Sequence, residues 1–321
     1  MIWESLRELI TPTTAAYALA AIGLNVHFGL TGLLNFGQAG FVAVGAYGFA
    51  VSVMTFGLSA PLAIVVALLL AVVYALLLGV PTLRLRADYL AIVTIASAEI
   101  IRFALNSSAF ATWTGGANGL YNEYSDWLKG SNPLPSGLLS LGPWTFTAND
   151  LWIAVVDWVV VLLVAGGIRL LVRSPWGRVL KGIREDEHAM LSLGKNVNLY
   201  KLQALVLGGV IGAAAGILYV QPTSVQPFDF ATRMTFNMYT MLILGGAATV
   251  FGPILGSMIF WVVMSVTDQL VSLGVDAGLL HDVTQGSQLR FVLVGVALVL
   301  LVVFRPQGIL GNRTELSFDA K

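Results

Sequence analysis

Ionisable side chains are rare inside the apolar stretches of this chain, so the few that occur there are candidates for function. Glu99 and Arg102 stand three residues apart, which puts both on one face of a helix and lets them form an ion pair. Asp157 and Asp268 lie in other apolar stretches without an evident partner. Because an ionisable group is costly in a bilayer, such residues mark structural ion pairs or transport pathways. For Glu99 and Arg102 we favour structural pairing over contact with a substrate.

Amide side chains and glycines form a second group of candidates, in two short links between apolar runs. The first link reads GLLNFGQAG at 32–40, and the second link reads GGAATVFGP at 245–253. Glycine-interrupted apolar segments at corresponding places in two halves of a chain are typical of a transport pathway, although small residues also serve close helix packing. We favour the pathway. Its predicted residues are Asn35, Gly37, Gln38, Gly40, Gly245, Gly246, Thr249, Gly252 and Pro253.

Other kinds of chemistry find little support in the residues. The chain has no cysteine, which excludes disulfides, thiolate metal sites and cysteine nucleophiles. The three histidines have no spaced carboxylate motif, and we expect His27 to hydrogen-bond between helices rather than to carry a proton. The phosphate-binding pattern G-x-x-x-x-G-K-[ST] does not occur either. We therefore predict no catalytic residue, no metal and no cofactor bound by this chain.

The elements that position these residues must be membrane helices. Hydrophobic residues make up 57% of the chain and charged residues 11%, whereas a soluble domain carries about 25% charged residues. The mean hydropathy is +0.83. A net charge of zero does not favour nucleic acid as a partner, and the N-terminus lacks the features of a removable signal peptide. The composition predicts an all-α polytopic membrane protein whose single domain covers 1–321.

The apolar runs predict about nine transmembrane segments, since a spanning helix needs about 20 residues. Very short glycine-rich links join the first run to the second and the seventh to the eighth, so eight or ten segments remain open. The two links also form a weak internal repeat of glycine-broken helices. The predicted spans are Thr13–Leu30, Ala39–Phe56, Ala60–Val80, Ala87–Leu105, Asn149–Val172, Lys201–Val220, Met234–Val250, Pro253–Val271 and Gln288–Phe304.

Basic residues predict the orientation, because cytoplasmic loops carry an excess of Lys and Arg. They follow the third, fifth and ninth spans, which all end on the same side of the membrane. The loops after the fourth and eighth spans, 106–148 and 272–287, lie on the other side, and Lys129 is their only Lys or Arg. Nine spans therefore place the C-terminus in the cytoplasm and 106–148 outside as an external loop. The basic residues on the predicted cytoplasmic side are Arg84, Arg86, Arg173, Arg178, Lys181, Arg184, Lys195, Lys201, Arg305 and Arg313.

One internal stretch at 173–201, here called the charged segment, interrupts the apolar runs. Its three consecutive acids at 185–187 suit a helix N-terminus, and Gly194 suits a helix end. We predict one short amphipathic helix over 184–194, with Ile183, Met190 and Leu193 on its apolar face. Because so short a helix is marginal in water alone, it must pack on something. We predict docking on a partner protein rather than on lipid headgroups, since consecutive acids disfavour an anionic surface.

The charged segment resembles the cytoplasmic loop of the permeases of branched-chain amino acid ABC importers, within the branched-chain amino acid/urea-amide permease family. Three more stretches are similar to that family: GLTGLLNFGQAGFVAVGAY at 29–47, LRADYLAIVTIASAEIIR at 85–102 and FRPQGILG at 304–311. Together with TGGANGL at 114–120 they resemble the M-type permease. The resemblance implies that the segment carries a coupling helix, which enters a cleft on an ATPase subunit. The residues implied in coupling are Gly177, Arg178, Arg184, Glu185, Asp186, Ala189, Leu193 and Gly194.

The same resemblance implies a function and a set of partners. The chain would be a permease subunit of an ATP-driven importer in the bacterial cytoplasmic (inner) membrane, forming the translocation path for branched-chain or related amino acids. Partners would be two ATPase subunits that bind ATP and Mg, an extracytoplasmic binding protein, a second paralogous permease in a heterodimer rather than a homodimer, and membrane lipid. Gln38 replaces the His of many members and leaves the substrate open.

Two alternatives remain beside the importer of amino acids. A permease for urea or short amides belongs to the same class, because related systems use nearly the same signature. An ion-coupled secondary transporter belongs to another class and suits broken helices and Glu99, and a passive channel is a third possibility. Neither the secondary transporter nor the passive channel would give the charged segment a purpose. An ATPase subunit that copurifies with the chain would favour the importer.

Overall fold

The computed structural model describes residues 2–84, 87–135 and 137–276, and in the C-terminal part 292, 295–296, 299, 303–304 and 307–311. Helices dominate the described residues, which confirms the predicted all-α polytopic fold. The elements are α1 (Ile2–Arg7), α2 (Pro12–Asn25), α3 (Gln38–Met54), α4 (Ala60–Thr82), α5 (Ala87–Asn106), α6 (Ala111–Thr114), α7 (Asp126–Gly130), β1 (Leu138–Leu141), β2 (Trp144–Thr147), α8 (Ala148–Arg173), α9 (Pro175–Glu185), α10 (Glu187–Ser192), α11 (Val197–Val220), α12 (Thr232–Gly245) and α13 (Gly252–Asp276).

Five helices among the described residues are long and apolar enough to cross a membrane. They are Pro12–Leu30, Ala60–Thr82, Ala148–Arg173, Val197–Val220 and Gly252–Leu273. A sixth candidate consists of α5 and the following turn of helix at 108–114, which are bent by 59° relative to each other. α3 has 17 residues and α12 has 14, and both begin and end earlier than the predicted spans Ala39–Phe56 and Met234–Val250. The predicted count of nine is not confirmed, and the ninth span, Gln288–Phe304, lies largely outside the described residues.

α2, α3 and α11 form the centre of the molecule, because small residues let their backbones approach closely. A methyl group added at Gly45 of α3 would collide with the carbonyl oxygen of Ala213 in α11, and one at Gly216 with that of Val42. In the span Pro12–Leu30, which contains α2, an apolar stretch of 18 residues is 89% buried, compared with 33% in α4 and in α8. The apolar faces that α4 and α8 leave uncovered are suited to lipid, as expected for peripheral spans.

Both predicted links interrupt helices, as the sequence indicates. The helix of the first span changes from α to π geometry at Val26–Leu30, and Gly32 then adopts the left-handed conformation with φ of +75°. α12 ends at Gly245, and the following Gly246 has a φ of +115°, six residues before α13 begins at Gly252. Glycine reaches these positive φ angles without steric cost, so the breaks follow directly from the sequence.

The predicted external loop at 106–148 contains short helical turns and a hairpin of β1 and β2, in which Leu138 pairs with Thr147 and Leu141 with Trp144. It is tied to the link between α11 and α12. The backbones of Leu120 and Val225 form an isolated bridge, and the Tyr124 hydroxyl donates to the Thr223 carbonyl at 2.6 Å. This region therefore caps one end of the helices and depends on them for its packing.

Candidate functional site

A buried polar network joins α2, the first link and α11. It consists of His27, Asn35 and Gln38, whose side chains are fully buried. The Asn35 amide nitrogen lies 2.9 Å from His27 Nδ1 and 3.1 Å from Gln38 Oε1. His27 Nε2 lies 3.0 Å from the Leu205 carbonyl, and Gln38 Nε2 donates to the Gly208 carbonyl at 3.3 Å. Three polar side chains thus satisfy one another and two carbonyls of α11.

The hydrogen bonds of Asn35 fix the tautomer of His27. Asn35 Oδ1 accepts from the Gly37 amide at 2.9 Å, so Asn35 Nδ2 is a donor in its other two contacts. His27 Nδ1 must then be an acceptor, and Nε2 carries the proton that it donates to the Leu205 carbonyl. A second proton on Nδ1 would face the amide donor of Asn35. The geometry therefore agrees with our expectation that His27 bonds between helices and is not a proton carrier.

The first link is also bonded to α5 and α12. The Phe36 amide donates to Thr94 Oγ1 at 3.1 Å, and the Ala39 amide donates to Thr235 Oγ1 at 3.0 Å. The Tyr239 hydroxyl donates to the Asn35 carbonyl at 3.1 Å. Sequence reasoning missed Thr94, Thr235 and Tyr239, because single hydroxyls in apolar helices more often bond within their own helix. Four helices are thus fixed around one short glycine-rich link.

The second link is held by Asn25 of α2. Asn25 Nδ2 donates to the Thr249 carbonyl at 2.8 Å, and Asn25 Oδ1 accepts from the Ala248 amide at 2.9 Å. These two bonds stabilise Ala248 in a left-handed conformation, with φ of +65°. Thr249 Oγ1 accepts from the Gly252 amide at 3.0 Å and so caps the start of α13. The network of the first span therefore reaches the second link through one amide side chain.

The predicted pathway glycines lie at close contacts between backbones. A methyl group at Gly245 would collide with the Gly252 carbonyl, and one at Gly37 with the Thr94 carbonyl. At Gly40 it would approach the Tyr74 hydroxyl to 2.8 Å. These contacts account for the glycines by packing, which was the alternative explanation. Their role in a substrate pathway stays a prediction.

Glu99 and Arg102 form the predicted ion pair. Arg102 Nε and Nη2 each lie 2.7 Å from Glu99 Oε2. The other oxygen, Oε1, accepts from the Thr232 hydroxyl at 2.7 Å and from the Thr232 amide at 3.2 Å. Thr232 is the first residue of α12, so Glu99 satisfies an amide that the helix itself leaves unpaired. The carboxylate therefore fixes the start of α12 against α5, a role that the spacing of Glu99 and Arg102 did not reveal.

The charged segment forms two helices, α9 and α10, rather than one. Asp186 separates them with an extended backbone, φ −152° and ψ 106°, and its side chain accepts from the Ala189 amide at 3.0 Å. An aspartate in this geometry is a favourable N-cap. The prediction of one helix over 184–194 is therefore wrong at its start, because Arg184 and Glu185 end α9. Gly194 follows α10 with φ of +72°, in the conformation predicted for a helix end.

The predicted apolar face of this helix is also wrong. Ile183 belongs to α9 and is buried, and Met190 of α10 packs against Gly182. Leu193 is 71% exposed, and Leu191 beside it is 50% exposed. α10 thus turns Met190 toward α9, whereas Leu191 of α10 and Leu193 just after it are exposed to solvent. The residues implied in coupling include the buried Gly177 and the half-buried Arg184, while the exposed ones are Arg178, Glu185, Asp186, Ala189, Leu193 and Gly194.

Polar contacts connect the charged segment to the membrane helices, among them a hydrogen bond of 2.9 Å from Trp176 Nε1 to Gln203 Oε1 of α11. Arg184 Nη1 donates to the Gly29 carbonyl at 2.5 Å, within the π-helical turn at Val26–Leu30. Lys201 Nζ lies 2.6 Å from Glu187 Oε2 and so joins α10 to the first turns of α11. Gly29 in turn lies against Asn25 and Ala248, where an added methyl group would collide with both. A displacement of α9 and α10 would therefore reach α2 and α11 directly, and the second link through α2.

The geometry describes helices broken at two glycine-rich links and an exposed segment that is bonded to them. Over residues 8–303 the chain matches the family described as the permease component of branched-chain amino acid transport systems. The chain belongs to this family. The resemblance found in the sequence is thereby confirmed. As a member of a permease family the chain is a multi-pass membrane transport subunit and not an enzyme.

Curated relatives of this permease include both types of the family. The high-affinity branched-chain amino acid transport system permease protein LivM of Escherichia coli (strain K12) is 33% identical over 313 residues, which are 94% of this chain and 69% of the relative. The probable branched-chain amino acid transport permease protein LivM of Methanocaldococcus jannaschii is 25% identical, and the match covers 92% of this chain and 91% of the relative. The LivH permease protein of Salmonella typhimurium is also 25% identical, and the match covers 93% of this chain and 92% of the relative.

Proposed function

We propose that this permease forms the translocation path of an ATP-driven importer for branched-chain amino acids. The relatives of both LivM and LivH type support a heterodimer with a second, paralogous permease. Two ATPase subunits would bind ATP and Mg, and an extracytoplasmic protein would deliver the substrate. The basic residues support an orientation in which the charged segment and the C-terminus lie in the cytoplasm.

The observation that carries the proposal is the position of α10. Its Leu191 and the following Leu193 are exposed to solvent, and the Glu187–Lys201 ion pair joins α10 to α11. An exposed apolar surface flanked by polar residues is typical of a protein interface. We assign this surface to the ATPase subunit, which would supply the free energy that the permease needs.

Coupling then follows from the contacts of the charged segment. When two ATPase subunits close, they displace α10, and the Glu187–Lys201 pair passes the displacement to α11. Arg184 passes it to the carbonyl of Gly29, in the π-helical turn of the first span. That turn lies between the two glycine-rich links, because Asn25 bonds the second link and His27 bonds Asn35 of the first. Movement of the turn would rearrange both links together, which is how we propose that access to the substrate alternates.

Among the ionisable residues of the spans, Glu99 and His27 offer little to an ion-coupled transporter. Glu99 is bonded to Arg102 and Thr232, and both nitrogens of His27 are used in the buried polar network. A proton or sodium ion that bound at either residue would have to displace structural hydrogen bonds. The importer therefore explains the charged segment, which the secondary transporter leaves without a role.

Copurification and uptake test the proposal. Leu193→Asp puts a charge into the docking surface, and we expect a loss of about 2 kcal/mol of binding free energy, as at an interface hot spot, hence a roughly 30-fold weaker complex with the ATPase. Leu199→Asp is the matched control, since Leu199 is an exposed leucine in the first turn of α11. Wild-type complexes in proteoliposomes should accumulate labelled L-leucine only when ATP is supplied on the side of the charged segment. Uptake without ATP that collapses with the ion gradient would refute the importer.

A further inference from the structure

A cavity of about 280 Å³ lies between the charged segment and the membrane helices. Its apolar wall includes four buried side chains: Leu33 from the first link, Leu83 just after α4, Leu90 of α5 and Ile183 of α9. All four side chains are less than a tenth exposed. The volume is near the lower end of small-molecule sites, which begin at about 300 Å³. A short aliphatic side chain suits this wall, because it would lose its contact with water there.

The charged side chains among the described lining residues are Arg184, Glu187 and Lys201. They carry two positive charges and one negative charge, so their sum favours a ligand with a carboxylate. Lys201 is 14% exposed and Glu187 43% exposed, and their ion pair of 2.6 Å borders the cavity. A carboxylate can bind the two cations, and an ammonium group can bind Glu187. These charges and the aliphatic wall together are complementary to a small zwitterion with an apolar side chain.

We propose that this cavity is a regulatory site that binds a small aliphatic amino acid from the side of the charged segment and slows transport. The inference rests on the proposed function, which places that side in the cytoplasm, where imported amino acid accumulates. Arg184 and Glu187, which face the ligand, also bond α9 and α10 to the membrane helices. A ligand held between them and the first link stabilises the arrangement described here. It therefore opposes the displacement of α10 that coupling requires.

The test uses the complete complex of both permeases, both ATPases and binding protein, reconstituted in phosphatidylcholine nanodiscs. With the binding protein already saturated, millimolar L-leucine is added, and the rate of ATP hydrolysis is measured. We expect the rate to fall several-fold. Isoamylamine, which lacks the carboxylate, should leave the rate unchanged, and isocaproate, which lacks the ammonium group, should inhibit more weakly than leucine. A rate that does not respond to leucine overturns the proposal.

Variants locate the effect in the cavity. Leu90→Trp fills it and should abolish the response to leucine, measured as the ratio of rates with and without the amino acid. Leu77→Trp is the matched control on the exposed side of α4, where Leu77 is 71% exposed, and it should respond as the wild type does. Equal responses of the two variants would place the inhibition elsewhere and overturn the proposal.

A measurement on the wild type covers the case in which Leu90→Trp does not fold. Leucine should slow amide hydrogen exchange in α9 and α10, whereas unchanged exchange there contradicts the proposal. Nanodiscs with added phosphatidylglycerol show whether a lipid headgroup takes the cavity instead. In that case hydrolysis would change with the headgroup and not with leucine, which would also overturn the proposal. Failure of the importer itself would be distinct, because ATP-dependent uptake would then be absent.

Discussion

The buried polar network and the charged segment are both polar regions of an apolar chain, but they are stabilised in opposite ways. In the buried polar network, His27, Asn35 and Gln38 are fully buried and bonded to one another and to backbone carbonyls. The charged segment is bonded to the membrane helices through Arg184 and Glu187, and most of its surface is exposed.

This difference separates two roles. A buried polar group that loses its partner costs about 1–3 kcal/mol, so the buried polar network specifies one arrangement of α2, α11 and the first link. The exposed segment can move at smaller cost, because few of its contacts are buried and its partner surface is still open. We conclude that the buried polar network keeps the helices in register and that the charged segment receives a displacement from a partner protein.

The largest effect should follow from Asn35→Leu. The substitution removes both amide donors and leaves His27 Nδ1 and Gln38 Oε1 unpaired, at a cost of about 1–3 kcal/mol for each acceptor. We expect a large fall in the temperature at which the solubilised protein loses its monodisperse elution. Asn149→Leu is the control, since Asn149 makes an exposed bond to Asn132. Equal effects of the two substitutions would show that the network does not stabilise the fold.

Gly45→Ala should also destabilise the centre of the molecule. The new methyl group would collide with the Ala213 carbonyl, and overpacking of this kind costs about 1–3 kcal/mol. Gly166→Ala makes the same change in α8, where nothing lies within 4 Å of the added group. Alanine favours a helix by up to about 1 kcal/mol over glycine, so this control should be neutral or stabilising. Thermal unfolding of the two variants distinguishes them directly.

Arg184→Gln should affect transport more than stability. The variant loses the charge-assisted bond to the Gly29 carbonyl, a contact that contributes about 1.5–3 kcal/mol at most. We expect folded protein that still retains the ATPase subunits but takes up leucine much more slowly per ATP hydrolysed. The ratio of uptake to hydrolysis is the decisive readout. An unchanged ratio would show that Arg184 does not transmit the displacement.

The smallest effect concerns pH and the Asp229 carboxyl, in the link between α11 and α12. Burial raises the pKa of Asp229, and the nearby Arg233 offsets part of this rise. The folded state therefore holds this proton more tightly than the unfolded state does. The resulting stabilisation is complete below the unfolded-state pKa of about 3.9 and is lost as the pH rises through the folded-state pKa. Asp229→Asn should flatten the dependence of unfolding temperature on pH over that window, and an unchanged slope would contradict this assignment.

Much of the fold could be predicted from the sequence, because apolar runs report directly on membrane helices. The predicted spans that begin at Ala60 and Asn149 match α4 and α8 to within two residues at each end. The Glu99–Arg102 pair followed from helical spacing alone. The ends of α3 and α12 could not be predicted in this way, because both apolar runs continue past the last helical residue.

The remaining features depend on contacts between distant residues. Thr232 is 133 residues from Glu99, and no pattern in either stretch indicates their bond. The break at Asp186 likewise interrupts the predicted helix. The neighbouring Glu187 pairs with Lys201, 14 residues further on, and this contact cannot be read from the local sequence. Charge pattern placed a helix start near the three acids but could not show which acid is the N-cap. Local patterns therefore predicted the elements, and long-range contacts determined where those elements begin and meet.

Thiol labelling of Ser192→Cys tests the central claim most directly, because the chain has no other cysteine. Ser192 lies at the exposed end of α10, and Ser140→Cys in β1 provides a matched probe in the predicted external loop. A membrane-impermeant maleimide should label Ser192→Cys only in inside-out vesicles, and the ATPase subunits should protect it. It should label Ser140→Cys only in intact cells. Labelling of Ser192→Cys from outside, or labelling that the ATPase does not reduce, would contradict the proposal that the charged segment receives the energy for transport.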